Sequence, residues 1–348
     1  MRHSRCWPNS HIPTSLAAEC RVQSAISMCF SVASTTIVGL PDTAVQEAKE
    51  RVRAAIRNSG CEFPMRRVTV NLAPADLRKA GPAYDLPIAV AVLCSSGQIP
   101  EVPDSALFLG ELSLDGGLRH TNAILPMVAV ARDQGFKSVH VPGLDSDEAA
   151  LVEGINVLPA ESLSKLLEHL RGETTIQPHV RNGDLALGGG PTNGAGNSRT
   201  GGIDLEDIRG QEHAKRELEV AAAGAHNLLM SGPPGSGKTL LARSIPNILP
   251  RMTREEALDV TKIYSVSGLL PSSTPLIDAR PFRAPHYTIS NTGLVGGGRL
   301  PRPGEVTLSH RGVLFLDELP EFGHTVIPVK LFDSVDCHSS ESPVIPNG

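Results

Sequence analysis

From Asp42 to Gly60 the chain reads DTAVQEAKERVRAAIRNSG, and its apolar residues fall at helical spacing: Ala44, Val45, Ala48, Val52, Ala55 and Ile56. Apolar positions recurring every three and four residues line one face of a helix, so this stretch predicts an amphipathic helix. Asp42 is the expected N-cap and Gly60 the expected stop. Glu47 and Arg51 are spaced for an i,i+4 ion pair on the exposed side. The pattern then changes period. RRVTVNL alternates, which predicts a strand with Val68 and Val70 on one face. DLPIAVAVLCSSG predicts a second helix, short strands come next near Leu107 and Leu112, a helix spans Ile124–Asp133, and KSVHVP reads as a strand.

The same alternation of helix and strand signals returns after residue 202. HNLLMS predicts a strand, LLARSIPNIL a helix, and Val313 to Leu316 are apolar in succession, as a strand buried on both faces would be. Between the two halves lies RNGDLALGGGPTNGAGNSRTGG, crowded with Gly, Asn and Thr, the composition of a flexible linker. Two α/β domains on a tether account for this order. No internal repeat is visible. The opening residues MRHSRCWPNSHIPTSLAAECRVQ show no strand alternation, hold the only Trp and two of the six cysteines, and look foreign to the rest of the chain.

Composition changes this picture little. A length of 348 residues suits two domains, because single cores stop growing at about 250–300 residues. The net charge of −5 argues against a nucleic-acid binder that works by bulk charge, while leaving room for a local basic surface. The six cysteines show no metal-ligand spacing, so free thiols in a reducing compartment are expected. No apolar run approaches the ~18 residues a membrane span needs, and polar residues and prolines interrupt the one stretch that faintly resembles a secretory signal. A cytoplasmic protein without a membrane partner is the expectation.

The chemistry lies in two motifs. GPPGSGKT, formed by Gly232, Pro233, Pro234, Gly235, Ser236, Gly237, Lys238 and Thr239, matches G-x-x-x-x-G-K-T between a predicted strand and a helix beginning near Leu240. Glycines let backbone N–H groups face phosphates, and the helix N-terminus adds partial positive charge. Lys238 can reach the β- and γ-phosphates, and the Thr239 hydroxyl can ligate Mg²⁺. A chance Gly/Pro turn is the bland alternative, and the flanking strand and helix tell against it. GVLFLDE supplies the second motif: Asp317 can hold Mg²⁺, and Glu318 can orient and deprotonate an attacking water. Alone this motif is weak, since many core strands end in acids. The pair predicts an ATP site using Mg²⁺, with Leu240 joining the loop residues in binding the nucleotide and Lys238 and Glu318 acting in hydrolysis.

TIVGLPDTAVQEAKERVRAAI, GPPGSGKT, ARPFRAPHYTISNTGLVGGG and RPGEVTLSHRGVLFLDELPEF together resemble the YifB/ComM family of magnesium-chelatase-like AAA+ ATPases, over residues 36–326. The resemblance implies an α/β chain: a Lon-protease-like (ribosomal S5-like) α+β domain at 36–172, a linker at 173–203 and a P-loop AAA+ α/β domain, incomplete, at 204–326. Segments 1–35 and 327–348 lie outside the family pattern. The resemblance also implies an ATPase that assembles as a homo-hexamer and drives branch migration or unwinding of branched or single-stranded DNA in transformation and recombination. Between Asp278 and Gly312 the chain is similar to an inserted hairpin that faces the ring pore in this clade. It carries Arg280, Arg283, His286, Arg299, Arg302 and Arg311. Arg283, Arg299 and Arg302 are the candidate DNA contacts. Such residues either track a phosphate backbone or pair with local acids, and spacing alone does not separate the two.

The Lon-like likeness does not carry over to peptidase chemistry. The serine position falls at Ala83 and the lysine position at Leu125, neither of which can act, and nearby Lys79 and Ser95 support no shifted dyad. A binding or assembly domain is expected. Three rivals to a DNA-directed ATPase remain: a metal-chelatase motor subunit acting on porphyrins, an ATP-dependent protease, and a product without motor function. The last draws on the chain ends. The resemblance implies a polar sensor, an arginine finger and a helical lid after Glu318, and none can be assigned. Pro328, Pro343 and Pro346 interrupt any helix there, and no arginine occurs after Arg311. Weak Mg·ATP binding with little turnover is therefore expected, as is an origin in a reading-frame change, a misassigned start or a gene fragment. The strand pair that the family places before TIVGLPD is expected to be missing, leaving a sheet edge unpaired.

Overall fold

The computed structural model describes residues 26–29, 35–39, 42–72, 81–180, 203–271, 274–298 and 302–322. These fall into two compact units. One comprises Met1–Ala186 with Tyr264–Ile277, the other Leu187–Ile263 with Asp278–Gly348. Both are mixtures of helix and sheet, and parallel strand pairs occur in each.

The first unit opens with strands β1 (Ile26–Cys29) and β2 (Thr35–Val38), helix α1 (Thr43–Asn58) and strand β3 (Arg67–Asn71). β3 is the middle strand, antiparallel to β1 and parallel to β2. This corrects the expectation of an unpaired edge: β1 lies before Thr36 and fills that place. No strand was expected at Ile26–Cys29; the ladder partner that β3 supplies makes these four residues one. α1 obeys its pattern closely. The Asp42 carboxylate accepts from the Val45 N–H at 2.8 Å, and Val45, Ala48, Val52, Ala55 and Ile56 are buried. Gly60, at φ 76°, closes the helix end in the left-handed region that costs glycine nothing.

Arg51 makes the expected i,i+4 pair with Glu47 at the long limit of 4.0 Å, and a stronger one besides. Its guanidinium grips Asp85 with two bonds of 2.7 and 3.0 Å, while Glu47 stands 4.0 Å away. Asp85 opens helix α2 (Asp85–Ser95), is fully buried, and also accepts from the Leu112 N–H at 3.3 Å. A carboxylate taken out of water needs donors far more than an exposed Glu47 does, so it captures the arginine. Burial pushes the Asp85 carboxyl up to about 6, with the Arg51 bonds pulling the other way.

The remainder of this unit runs β4 (Ala106–Phe108), β5 (Glu111–Leu112), β6 (Leu118–Arg119), α3 (Ile124–Asp133), β7 (Ser138–Pro142), short α4 (Ser146–Ala149), β8 (Asn156–Ala160) and α5 (Leu163–Leu170). β4, β7 and β8 form a parallel sheet in that order, and β5 and β6 pair as a small hairpin. Ala83 and Leu125 are both buried, and Ser95 ends α2. Lys79 lies outside the described residues. Packing of the unit continues past residue 172: the His179 N–H donates to Val157 O at 2.7 Å and the Ile176 N–H to His169 Nδ1 at 3.1 Å.

His140 on β7 is buried, stacked on Phe108 at 4.5 Å, with no hydrogen-bond partner for its Nδ1. Burial, reinforced by neighbouring His169, pushes its imidazole down from 6.5 to about 3. The folded unit thus holds it neutral, while the unfolded chain gains a proton below its ordinary value. Stability from this group is complete above pH 6.5 and is lost as pH falls toward 3. The slope is about 1.4 kcal/mol per pH unit. His140→Phe is expected to remove one proton's worth of slope from urea-unfolding free energies measured between about pH 6 and pH 4. Parallel slopes for the two chains would contradict this.

The second unit contains α6 (Glu212–Gly224), α7 (Lys238–Ile248), most of α8 (Arg254–Ser267), β9 (Phe282–Arg283), α9 (Asn291–Val295), β10 (Gly296–Gly297), β11 (Arg302–Pro303), α10 (Glu305–Leu308) and β12 (Val313–Leu314). The last turn of α8 groups with the first unit. Leu205, Ile208, Leu218 and Leu241 form an apolar cluster, with Met230, Ile245 and Ile248 packed against it.

Two strand expectations need correction here. HNLLMS is not a strand, and Leu229 within it is 80% exposed. Only Val313–Leu314 of the second apolar run is strand, and residues 313–316 are half-buried. β12 pairs in parallel with β9 and with no other described strand. An apolar run becomes a buried strand only when neighbours supply the ladder on both sides, and among the described residues they do not. Among the described residues, no helix is long and apolar enough to cross a membrane.

Candidate nucleotide site

The turn that precedes α7 brings the predicted residues together. Gly235 and Gly237 sit at φ 76° and 84°, where a side chain would be strained, and Gly237 is the N-cap of α7. The first N–H groups of a helix have no acceptor within it, so the start of α7 is a cluster of free donors with positive partial charge. Lys238 Nζ donates to Gly232 O at 2.9 Å and Pro233 O at 3.0 Å, tying both ends of the loop together. Ser236 Oγ stands 3.4 Å from the same ammonium.

The acidic motif meets this loop at one bond. Thr239 Oγ1 donates to Asp317 Oδ2 at 3.1 Å, across 78 positions of sequence. Glu318 comes next, exposed, with its N–H donating to Asp317 Oδ1 at 3.1 Å. Its backbone lies at φ 55°, a left-handed conformation uncommon for a residue with a side chain. Such outliers concentrate at functional sites because the surroundings must hold them in place.

A cavity of about 580 Å³ opens here, lined by Pro234, Gly235, Ser236, Gly237, Lys238, Thr239, Leu240 and Asp317, together with Ile203 and Arg243. That volume lies within the ~300–1,000 Å³ usual for small-molecule sites. A hydroxyl and a carboxylate in contact, both hard oxygen donors, fit Mg²⁺. The glycine turn and free helix N–H groups fit a polyphosphate. Ile203 and Arg243 are additions that the motif does not name. Arg243 lies one helical turn past Thr239, a spacing that could have flagged it. Ile203 sits at the end of the predicted linker and carries no sequence signal.

Gln211 is a further addition. It is the N-cap of α6, at φ 61°, yet its side chain caps nothing; its Nε2 donates to Ser236 O at 2.9 Å. A glutamine where Ser, Thr, Asp or Asn is usual is the only sequence signal of this contact.

The candidate DNA residues divide. Arg283 is held by Glu305 through bonds of 2.5 and 2.7 Å and is half-buried, the local-acid pairing that spacing could not separate from a phosphate contact. Arg280 donates to Pro250 O and Arg311 O and approaches Glu256 at 3.3 Å; Arg311 lies 3.5 Å from the same carboxylate. His286 contacts Thr288. Arg302 is exposed on β11, whose antiparallel pairing with β10 makes a hairpin. Arg299 lies outside the described residues.

Comparison with known proteins identifies the family. Residues 204–330 match the family model described as magnesium chelatase, subunit ChlI, and residues 22–145 match a second, subunit ChlI of Mg-chelatase. The chain therefore falls among magnesium-chelatase-like proteins. It is 46% identical to an uncharacterized protein of Mycobacterium tuberculosis, over 82% of this chain and 55% of that one. It is 45% identical to the uncharacterized protein YifB of Escherichia coli, over 82% and 54%. It is 41% identical to the competence protein ComM of Haemophilus influenzae, over 84% and 56%. The chain belongs to the YifB/ComM family, and it spans about half the length of these relatives.

Proposed function

We propose that the second unit binds Mg·ATP at the α7 N-terminus with little turnover by this chain, and that hydrolysis at this site in the whole family protein is coupled to work on DNA. The observation that carries this reading is the Thr239–Asp317 bond, which puts the two metal-ligating oxygens at the mouth of a phosphate-binding turn. Lys238 exchanges its loop carbonyls for β- and γ-phosphate oxygens. Thr239 and Asp317 hold Mg²⁺. Bound Mg²⁺ neutralises phosphate charge and makes the γ-phosphorus more open to attack. The Glu318 carboxylate accepts the proton of the attacking water as its oxygen bonds to the γ-phosphorus; the bond to the bridging oxygen breaks, leaving ADP and phosphate. Glu318→Gln is expected to keep Mg·ATP binding while lowering the hydrolysis rate at least about a hundredfold. Equal turnover by both chains would remove Glu318 from this role.

The ComM relative is a competence protein, which favours DNA as the polymer acted on. In this reading a homo-hexameric ring presents the β10–β11 hairpins to a branched or single strand, with Arg302 and Arg299 contacting phosphates. Arg302→Ala is expected to weaken single-stranded DNA binding by a similar factor for all sequences, and to reduce the salt slope by roughly one unit. A sequence-selective loss, or an unchanged slope, would exclude Arg302 as a phosphate contact. The first unit, with Ala83 and Leu125 in place of a nucleophile and a base, serves as a Lon-like binding or assembly domain.

The family-model description favours a second reading, a motor subunit for inserting Mg²⁺ into porphyrin. ATPase stimulated by DNA and indifferent to porphyrin supports the first reading; the reverse supports the second.

A further inference from the structure

We infer that Gln211 is a positioning residue that locks the peptide between Ser236 and Gly237, turning the Gly237 N–H toward bound phosphate. This rests on reading the α7 N-terminus as the nucleotide site. In a trans peptide the C=O and the N–H of the next residue point in opposite directions. Gln211 Nε2 holds Ser236 O at 2.9 Å, so the Gly237 N–H of that peptide faces the other way, toward the cavity that Ser236 and Gly237 both line.

A lock is useful because Gly237, on one side of this peptide, lies at positive φ with open space where a side chain would be, and glycine restrains its peptide least of all residues. After rotation the Ser236 carbonyl would face the phosphates and repel them. Within the loop, Gly232 O and Pro233 O are engaged by Lys238, and Gly237 O by the Leu241 N–H at 2.9 Å. Ser236 O is the loop carbonyl held from outside the loop, by Gln211. Gln211 does this from a left-handed backbone position and gives its own helix no cap. The segment carrying it is fastened to the same helix: Asn247 Nδ2 on α7 donates to Ile203 O at 3.1 Å, and Leu205 and Ile208 pack with Leu241.

The test uses the full chain, with Gln211→Ala and the nearly isosteric Gln211→Glu, which replaces the amide donor with an acceptor. Gln211 is exposed, so both variants are expected to melt at the wild-type temperature. Calorimetric titration with Mg·ATP and Mg·ADP is expected to show about tenfold weaker binding of both nucleotides by Gln211→Ala, and weaker still by Gln211→Glu. Without nucleotide, the Gly237 amide resonance in ¹H–¹⁵N spectra is expected to shift or double in both variants. Unchanged affinity overturns the inference, and so does weakened affinity with an unmoved Gly237 resonance. If the wild-type chain takes up no nucleotide, the reading of the site fails, and the Gly237 resonance still decides whether Gln211 holds this peptide.

Discussion

Lys238→Ala is expected to weaken Mg·ATP binding by roughly 30–150-fold, equivalent to about 2–3 kcal/mol. The ammonium lies beside the glycine turn, and its donors already reach the oxygens of two successive loop residues, Gly232 and Pro233. Removing it deletes charge-assisted bonds to phosphate, each about 1.5–3 kcal/mol, and also unties Gly232 and Pro233. Lys238→Arg is expected to recover only part of the loss, because a planar guanidinium cannot replace a compact ammonium among three oxygens. Titration with a fluorescent ATP analogue measures both variants. A thermal melt matching wild type shows that the loss is local. Affinity within about threefold of wild type would mean that this lysine does not read phosphate.

Asp85→Ala is expected to be among the most damaging single substitutions in the first unit, at about 3 kcal/mol of unfolding free energy. Asp85 is fully buried, and its removal takes two short bonds from the Arg51 guanidinium, which keeps Glu47 at 4.0 Å and 20% exposure. That remaining contact with water places the cost toward the low end of the ~3–5 kcal/mol seen when a buried pair loses one member. The Leu112 N–H also loses its acceptor. The double replacement Asp85→Leu with Arg51→Met is expected to restore most of the stability, since no charge is then left unpaired. Urea unfolding of the three chains decides the matter. A double variant no better than Asp85→Ala would show that shape, not charge pairing, holds α1 against α2.

The range of each interaction decided whether it could be read from the chain. α1 was legible from its cap to its glycine because every determinant lies within sixteen residues of helix and its two ends. That Gly235, Gly237, Lys238, Thr239 and Asp317 line one cavity was legible because the two motifs are a pair with set residue types and spacings. Arg51 was only half legible: its pair with Glu47 followed from helical spacing, whereas its bonds to a carboxylate 34 positions away are invisible to local periodicity. The same reason hid the pairing of Arg283 with Glu305 and of Arg280 with Glu256. Strands failed in both directions. β1 formed from an unpromising segment because β3 lay beside it, whereas HNLLMS, with a strand's composition, gained no ladder among the described residues. Gln211 escaped notice because it acts on a backbone oxygen, and an unusual N-cap residue is its one trace in the chain. Nor does the sequence signal that Tyr264–Ile277 groups with the first unit.

The central claim, a Mg·ATP site built by Thr239 and Asp317 at the α7 N-terminus, is tested most directly by calorimetric titration of the full chain with ATP. The titration is run with Mg²⁺, with a chelator in its place, and again with Asp317→Asn. Saturable binding at one site per chain, weakened alike by the chelator and by Asp317→Asn, is the expected result. Absence of saturable binding, or binding indifferent to both Mg²⁺ and Asp317, would contradict it.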